Sequence, residues 1–358
     1  MTTFVSVLVV DDSAFMCKLL TDLLREDPAI EVLGSASNAA EARGLIRTLN
    51  PDVLTLDIEM PGMDGLSFLR KIIELRPMPV IMVSTLTHHG ADTTLEALEI
   101  GAVDFVEKPA SQKDGNLEVL GSDLRMKVKA AKGMRVGLQR AQLRAQQRRI
   151  SLLRSASLVA IGASTGGVES LRAVLLNMDA DCPPVVVTQH MPPRFTAAFA
   201  NRLDRICPMT VREASEGQKI MPGMVVIAPG SHHLMVTKRG SEYYCTLSDG
   251  PEVSGHRPSV DVLFKSVASI VGAEGLGVIL TGMGKDGASG LLAMRHAGAM
   301  TIGQNESSAL IYGMPREAFE RGAVERQLPL DEIGGAIMSA WSHDRTVERA
   351  TTMRRAIS

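Results

Sequence analysis

Leu158-Val-Ala-Ile-Gly-Ala-Ser164-Thr-Gly-Gly-Val168 is the stretch that decides the fold of the second half of this chain. An apolar run ends in glycine and serine, and apolar residues three and four positions apart begin at Val168. This order predicts a strand, a tight turn and a helix. The five residues Gly162 to Gly166 also read as G-x-S-x-G, which lifts a serine hydroxyl above a sheet. Ser164 is therefore a candidate nucleophile, with phosphate binding or simple tight packing as the alternatives.

The composition is that of an ordinary soluble protein of two domains. The chain has 358 residues, of which 45% are hydrophobic and 22% charged, and its formal net charge is -2. Aromatic residues make up only 3%, so we expect no nucleic-acid partner. The four cysteines lack metal-type spacing, and no signal peptide or membrane-spanning run is evident. We expect a reduced, cytoplasmic protein that is not inserted in a membrane.

Residues 1–120 alternate between apolar strands and helical patterns. The predicted strands are Val5–Val10, Glu31–Ala36, Val53–Leu56, Val80–Val83 and Val103–Val106. Continuous apolar strands joined by helices indicate a parallel sheet that is covered on both faces. The ligands of such sheets bind at the carboxyl ends of the strands.

Charged residues follow three of these strands. Asp11 and Asp12 follow the first strand, Asp57 ends the third, and Lys108 follows the fifth. Carboxylates gathered at one edge raise one another's pKa unless a cation lies among them, and oxygen ligands at an open edge suit Mg²⁺. Lys108 adds a positive charge for an incoming anion. The sequence therefore predicts a magnesium and anion site at this edge.

These residues resemble the receiver domain of bacterial response regulators. The resemblance is carried by Asp11-Asp12, Asp57, Met60-Pro-Gly-Met-Asp-Gly65, Ser84 and Lys108-Pro109. It implies a flavodoxin-like fold and phosphoryl transfer from a histidine kinase to Asp57. It also implies that Mg²⁺ is held by Asp11, Asp12, Asp57 and the backbone carbonyl of Glu59. Ser84 and Thr85 both remain candidates for the hydroxyl that responds to the phosphoryl group, with Lys108 beside it.

Residues 121–155 are predicted to be a basic linker between the domains. From Arg125 to Arg154 the chain carries many basic residues and no acidic one. Its start is expected to continue the last helix of the first domain, because Leu120, Leu124 and Val128 fall on one apolar stripe. Docking on an acidic surface is favoured over nucleic-acid or membrane binding.

Residues 156–345 are expected to form a second α/β domain, with a C-terminal tail at 346–358. The predicted strands are 158–161, 185–188, 225–228, 276–281 and 300–302, and a hairpin spans 234–247. Helical patterns cover 194–204, 260–270 with Ser259 as its cap, 288–296 and 331–341. We expect a doubly wound parallel sheet of Rossmann-like type with a β-hairpin excursion.

Three polar residues follow separate strands of this sheet. Ser164 follows the first, His190 the second, and Asp286 the strand that ends near residue 281. A serine hydroxyl needs a base, and the base needs a group that orients it, so the three form a candidate catalytic triad. The alternative for His190 is a core imidazole with satisfied hydrogen bonds. His232-His233 and His256 either line a substrate cleft or lie in surface loops.

Gly282-Met-Gly-Lys-Asp-Gly287 matches G-x-G-x-x-G between a strand and a helix. A dinucleotide site is disfavoured there, because the Asp286 carboxylate would lie where a pyrophosphate should meet the helix N-terminus. The glycines instead favour an oxyanion site made by the backbone N–H groups of Met283 and Thr165.

The whole chain resembles the chemotaxis protein-glutamate methylesterases. The resemblance rests on Ile-Gly-Ala-Ser164-Thr-Gly-Gly, Gln189-His190-Met191, His256-Arg-Pro-Ser259-Val-Asp261 and Leu280-Thr-Gly-Met-Gly-Lys-Asp286-Gly. It implies phosphorylation-activated hydrolysis of glutamate methyl esters, and deamidation of glutamine, on methyl-accepting chemoreceptors by a serine esterase that needs no cofactor for this reaction. The alternative is a response regulator whose second domain only binds a partner.

Overall fold

A computed structural model of the protein describes residues 4–60, 64–84, 88–108, 117–132, 134 and 156–341. The chain divides into two compact units, Met1–Ala141 and Gln142–Ser358. Thr85, Pro109, most of the expected linker 121–155 and the expected tail 346–358 lie outside the described residues. Among the helices of the described ranges, none has the length and apolar character that a bilayer crossing requires.

A five-stranded parallel sheet forms the centre of the first unit. Its strands are β1 (Val5–Val10), β2 (Ile30–Ala36), β3 (Val53–Asp57), β4 (Val80–Ser84) and β5 (Asp104–Glu107). They lie in the order β2-β1-β3-β4-β5. This is the flavodoxin-like order, in which ligands bind where the strand order reverses, between β1 and β3. The predicted fold of this unit is confirmed.

Five helices of the described ranges cover this sheet: α1 (Ala14–Arg25), α2 (Ala39–Leu49), α3 (Gly65–Leu75), α4 (His88–Ile100) and α5 (Leu117–Ala131). Ser13, Asn38 and Asp64 precede α1, α2 and α3, and each side chain accepts a hydrogen bond from a backbone N–H of the first turn. Helix α5 continues across the expected boundary at residue 120. Its apolar stripe is buried, and the Arg125 guanidinium donates to the Leu23 carbonyl at 2.7 Å.

The second unit is built on a parallel sheet of seven strands. They are β6 (Leu158–Ala163), β7 (Val185–Gln189), β8 (Thr210–Glu213), β10 (Met224–Ile227), β13 (Gly275–Ile279), β14 (Met300–Gln304) and β15 (Arg326–Leu328). Their order is β15-β14-β13-β6-β7-β10-β8, so the strand order reverses at β6. The sequence pattern does not predict β8 or β15, because these short edge strands lack a continuous apolar run.

The helices of the second unit are α6 (Gly167–Leu176), α7 (Pro193–Ile206), α8 (Val260–Ile270), α9 (Ala288–His296) and α10 (Met314–Glu320), followed by α11, described over 330–341. The predicted hairpin is β11 (His233–Arg239) and β12 (Glu242–Ser248), and β9 (Lys219–Ile220) pairs with β12. Helices α8 and α9 pack closely, since a Cβ on Gly290 would lie 2.7 Å from Phe264 Cβ. This packing brings the start of α8 beside the loop after β13.

Candidate active site

Ser164 directly follows β6 and begins the turn into α6. Its N–H donates to the Thr281 carbonyl at 3.0 Å, and its own carbonyl accepts from Gly167 N–H at 2.7 Å. Gly166 has φ 75°, a value that side chains with a Cβ rarely adopt. A Cβ on Gly282 would lie 2.7 Å from Ser164 Cβ, so the loop after β13 approaches the serine as closely as glycine allows. The predicted strand, turn and helix are confirmed.

His190 directly follows β7 at the same edge of the sheet. Strands β6 and β7 pair in register up to Ala163 and Gln189, so Ser164 and His190 are the next residues on adjacent strands. The His190 N–H donates to the Ala163 carbonyl at 3.1 Å. The Gln189 amide donates to the Ser164 carbonyl at 2.9 Å, which ties the two strand ends together.

Asp286 meets His190 from the loop after β13. The carboxylate lies 2.8 Å from His190 Nε2, and Asp286 is 1% exposed. Because a carboxylate accepts only, Nε2 carries the proton and Nδ1 is left as the basic nitrogen. Nδ1 is buried, and no hydrogen-bond partner for it is found among the described residues. The structure thus pairs His190 with Asp286, while no hydrogen bond in the described ranges joins the Ser164 hydroxyl to His190.

The Asp286 carboxylate is held by the start of α8 as well as by His190. Besides His190, its donors are the Ser259 hydroxyl at 2.8 Å and the N–H groups of Val260 at 2.7 Å, Asp261 at 3.1 Å and Gly287 at 3.0 Å. Burial acts to raise the pKa of Asp286, but His190 and these donors outweigh it and lower the pKa. Ser259 precedes α8 as predicted, but its hydroxyl binds Asp286 and makes no cap hydrogen bond.

Two backbone N–H groups flank Ser164 at this edge. Thr165 follows the serine, and Met283 follows Gly282, which abuts it. Neither N–H donates to any acceptor among the described residues. The Ser164 carbonyl, in the same peptide as the Thr165 N–H, accepts from Gly167 N–H at 2.7 Å and from the Gln189 amide at 2.9 Å, which fixes the direction of that N–H. Both groups are thus available to an oxygen atom bound beside the serine.

Two histidines that the sequence left open belong to this site. The His256 ring stacks on His190, with centroids 3.7 Å apart and an interplanar angle of 17°. His233 is buried, and its Nδ1 accepts from Ser259 N–H at 3.1 Å. The surface-loop interpretation is therefore wrong for His233. His256 lies among turn residues and His233 begins β11 directly after a turn, so the sequence pattern does not signal the contacts of either histidine.

A second cluster of charged side chains lies at the β1 and β3 ends of the first sheet. Carboxylate oxygens of Asp11, Asp12 and Asp57 lie within 4.8 Å of one another. Lys108 Nζ lies 2.8 Å from Asp11 and 2.9 Å from Asp57. Three oxygen ligands, one on the exposed Asp12, fit a hard divalent cation that keeps part of its water shell. The predicted juxtaposition of these residues is observed, and Glu59 N–H donates to Asp57 at 3.3 Å.

The protonation of this cluster follows from burial and charge. Burial, together with the nearby Asp11 carboxylate, raises the pKa of Asp57 although Lys108 acts to lower it. Burial lowers the pKa of Lys108, but the two carboxylates outweigh it and raise that pKa above its usual value. Lys108 is therefore a fixed positive charge at neutral pH.

Ser84 ends β4 and is buried. Its hydroxyl lies 2.7 Å from the Thr94 hydroxyl on α4, which also lies 2.6 Å from the Gly90 carbonyl. Thr94 was not predicted, because one threonine within a helical pattern carries no signal of such a contact. The Ser84 hydroxyl also lies 3.5 Å from the Gly90 carbonyl, so Ser84 contacts α4 at both Thr94 and Gly90.

The fold and the two sites define the class of protein: a response regulator with a receiver domain and a second, enzymatic α/β domain. Residues 159–337 match the family model for the CheB methylesterase, and residues 7–119 match that for the response regulator receiver domain. The chain belongs to the CheB methylesterase family. This membership confirms the predicted family and the prediction that the chain is a hydrolase.

Curated relatives match the chain over nearly its full length. A protein-glutamate methylesterase/protein-glutamine glutaminase of Agrobacterium fabrum is 55% identical, covering 94% of this chain and 97% of the relative. One from Caulobacter vibrioides is 54% identical, covering 95% and 99%. The crystal structure of the Thermotoga maritima CheB methylesterase catalytic domain is 37% identical, with a TM-score of 0.49, and covers 50% of this chain and 96% of that domain.

Proposed function

We propose that this protein hydrolyses glutamate methyl esters, and the corresponding glutamine amides, on the cytoplasmic helices of chemoreceptors. The observation that carries the proposal is the buried His190–Asp286 pair, 2.8 Å apart, at the sheet edge where Ser164 directly follows β6. The names of the relatives, which cover more than nine-tenths of the chain, supply the substrate class. The protein acts in the cytoplasm, where those receptor helices lie.

The reaction begins with attack of the Ser164 oxygen on the ester carbonyl carbon. His190 Nδ1 takes the hydroxyl proton, and Asp286 keeps the Nε2 proton in place and balances the charge of the imidazolium. The carbonyl oxygen becomes an oxyanion that accepts from the N–H groups of Thr165 and Met283. These groups are already oriented, so little reorganisation accompanies the charge that develops.

Collapse of the tetrahedral intermediate breaks the bond to the methoxy group. His190 gives its proton to that oxygen, methanol leaves, and the glutamyl group remains as an ester of Ser164. Water then attacks this ester and loses a proton to His190, which passes it to the Ser164 oxygen as the bond to that oxygen breaks. The glutamate leaves and ionises to the carboxylate, and Ser164 and His190 return to their starting states. With a glutamine side chain the same steps release ammonia. All steps use residues of the chain and require no cofactor.

Phosphorylation of Asp57 by a chemotaxis histidine kinase is proposed to activate this hydrolysis. The carboxylates of Asp11, Asp12 and Asp57 and the carbonyl of Glu59 would hold Mg²⁺, which when bound neutralises charge on the phosphoryl group. Lys108 keeps a fixed positive charge beside the acceptor. Ser84 or Thr85 then supplies a hydroxyl to the phosphoryl oxygens.

Methanol release from methylated receptor membranes tests the proposal. We expect the wild-type chain to release methanol and Ser164→Ala to be slower by about 10⁴-fold or more, as when other serine triads are broken. Ser215→Ala is the matched control, because this exposed serine follows the edge strand β8 and binds Gln218. Near-normal release by Ser164→Ala, or none by the wild type, would refute the proposal.

A further inference from the structure

His190 is held by only one side-chain hydrogen bond among the described residues, from Nε2 to Asp286. A hydrogen bond at Nε2 alone does not fix the rotation of the ring about its long axis, from Cγ to Nε2. Such rotation would swing Nδ1 away from Ser164. The ring therefore needs a second contact that fixes its plane. The stacked imidazole of His256, at 3.7 Å and 17°, is such a contact.

His256 lies in the segment 249–259 between β12 and α8, which we call the clasped loop. Within it, Val253 and His256 exchange both backbone hydrogen bonds, at 3.0 and 3.1 Å. The Arg257 guanidinium donates to the carbonyls of Asp249 at 2.9 Å and Gly250 at 3.1 Å. These contacts fold the loop back on itself and fix the position from which His256 reaches His190.

His233, the first residue of the hairpin strand β11, binds this clasped loop. Its Nε2 lies 3.0 Å from the Pro251 carbonyl, and its Nδ1 accepts from Ser259 N–H at 3.1 Å. One imidazole thus binds both ends of the loop, as the neutral tautomer with its proton on Nε2. Ser259 in turn donates to Asp286 at 2.8 Å, so the same residue anchors the loop and orients the carboxylate.

We infer that His256 is a positioning residue that fixes the ring plane of His190, and that His233 holds the clasped loop in the required place. This inference rests on the proposed role of His190 as the base. His256 acts through the face of its ring, so a planar apolar ring can replace it. Asp286 fixes the tautomer of His190 and the position of its Nε2, and His256 fixes the rotation of the His190 ring.

Two variants of the full-length protein test the inference: His256→Ala removes the ring and His256→Phe keeps a planar one. For methanol release from methylated receptor membranes, we expect His256→Ala to lower kcat by about 10²-fold, the order that a misplaced catalytic group costs. KM should change less than about threefold. His256→Phe should restore kcat to within about fivefold of the wild type, with the acid limb of its pH profile unshifted.

Two outcomes would overturn the inference. If His256→Ala keeps kcat within about twofold of the wild type, the stack does not position His190. If His256→Phe is as slow as His256→Ala, or its acid limb moves, the imidazole nitrogens of His256 act themselves. The wild type and Ser164→Ala are assayed in parallel. If the proposed function is wrong, these two proteins will not differ in methanol release, and that result is distinct from both outcomes above.

Discussion

Asp286 shows how much of this site depends on one buried carboxylate. It accepts from His190 and from the first N–H groups of α8, whose helix dipole favours a negative charge there. Its position after a strand was readable in the sequence, as were those of Ser164 and His190. The sequence does not reveal the donors from α8, because their position depends on the packing of two helices from distant parts of the chain.

Substituting Asp286→Asn should reduce the stability of the second unit in a pH-dependent way. In the variant, the NH₂ group of the amide faces N–H and O–H donors that previously bound a carboxylate oxygen, and these donors lose their acceptor. We therefore expect a loss of about 1–3 kcal/mol in the free energy of unfolding at pH 7. The folded pKa of Asp286 is lowered from 3.8, so its stabilisation is present above that pH and is lost as the pH falls further. The difference between wild type and variant should therefore shrink below pH 3.8.

Urea unfolding followed by fluorescence of Trp341, the single tryptophan, measures this difference. Its indole donates to the Asp181 carbonyl at 2.6 Å, so the signal reports on the second unit. A difference that stayed constant through the acid range would contradict the assigned charge.

Among the elements, α11 illustrates how two adjacent glycines serve different purposes. A Cβ on Gly334 would lie 2.6 Å from the Val174 carbonyl and 2.9 Å from Asn177 Cβ, so α11 lies directly against α6. A Cβ on Gly335 would meet nothing within 4 Å. The helical pattern predicts α11, but the sequence does not reveal which glycine makes the close contact.

The two alanine substitutions should have opposite effects on stability. Gly334→Ala should cost about 1–3 kcal/mol, because the backbone carbonyl of Val174 cannot move aside as a side chain could. Gly335→Ala should stabilise by about 0.5–1 kcal/mol through helix propensity. Urea unfolding monitored by Trp341 compares them directly. Equal stabilisation by both substitutions would contradict the close packing of α6 and α11.

At the scale of the whole molecule, two parallel sheets each gather their polar residues where the strand order reverses. The alternation of apolar strands and helices made both folds predictable, and strand ends made Asp57 and Lys108 predictable. The sequence does not predict the edge strands β8 and β15, because they resemble loops. It also does not predict the contact of the Thr94 hydroxyl, because Thr94 lies in an ordinary helical pattern. Short edge elements depend on a neighbouring strand that the local sequence does not specify.

The proposed control by phosphorylation predicts that a small phosphodonor labels the chain and raises methanol release. We expect Asp57→Asn to abolish both effects, because the amide lacks the nucleophilic carboxylate oxygen. Chelation of Mg²⁺ should also prevent labelling of the wild type. Glu118→Gln, on the first turn of α5, is the matched charge control. Persistent labelling of Asp57→Asn would place the acceptor elsewhere.

The most direct test of the account is whether Ser164 and His190 act as one unit. Methanol release from methylated receptor membranes would be measured for Ser164→Ala, His190→Gln and the double variant. Because either loss alone disables the nucleophile, the double variant should be no slower than the slower single variant. Losses that multiply in the double variant would mean that the two residues act independently, and would contradict a shared serine–histidine mechanism.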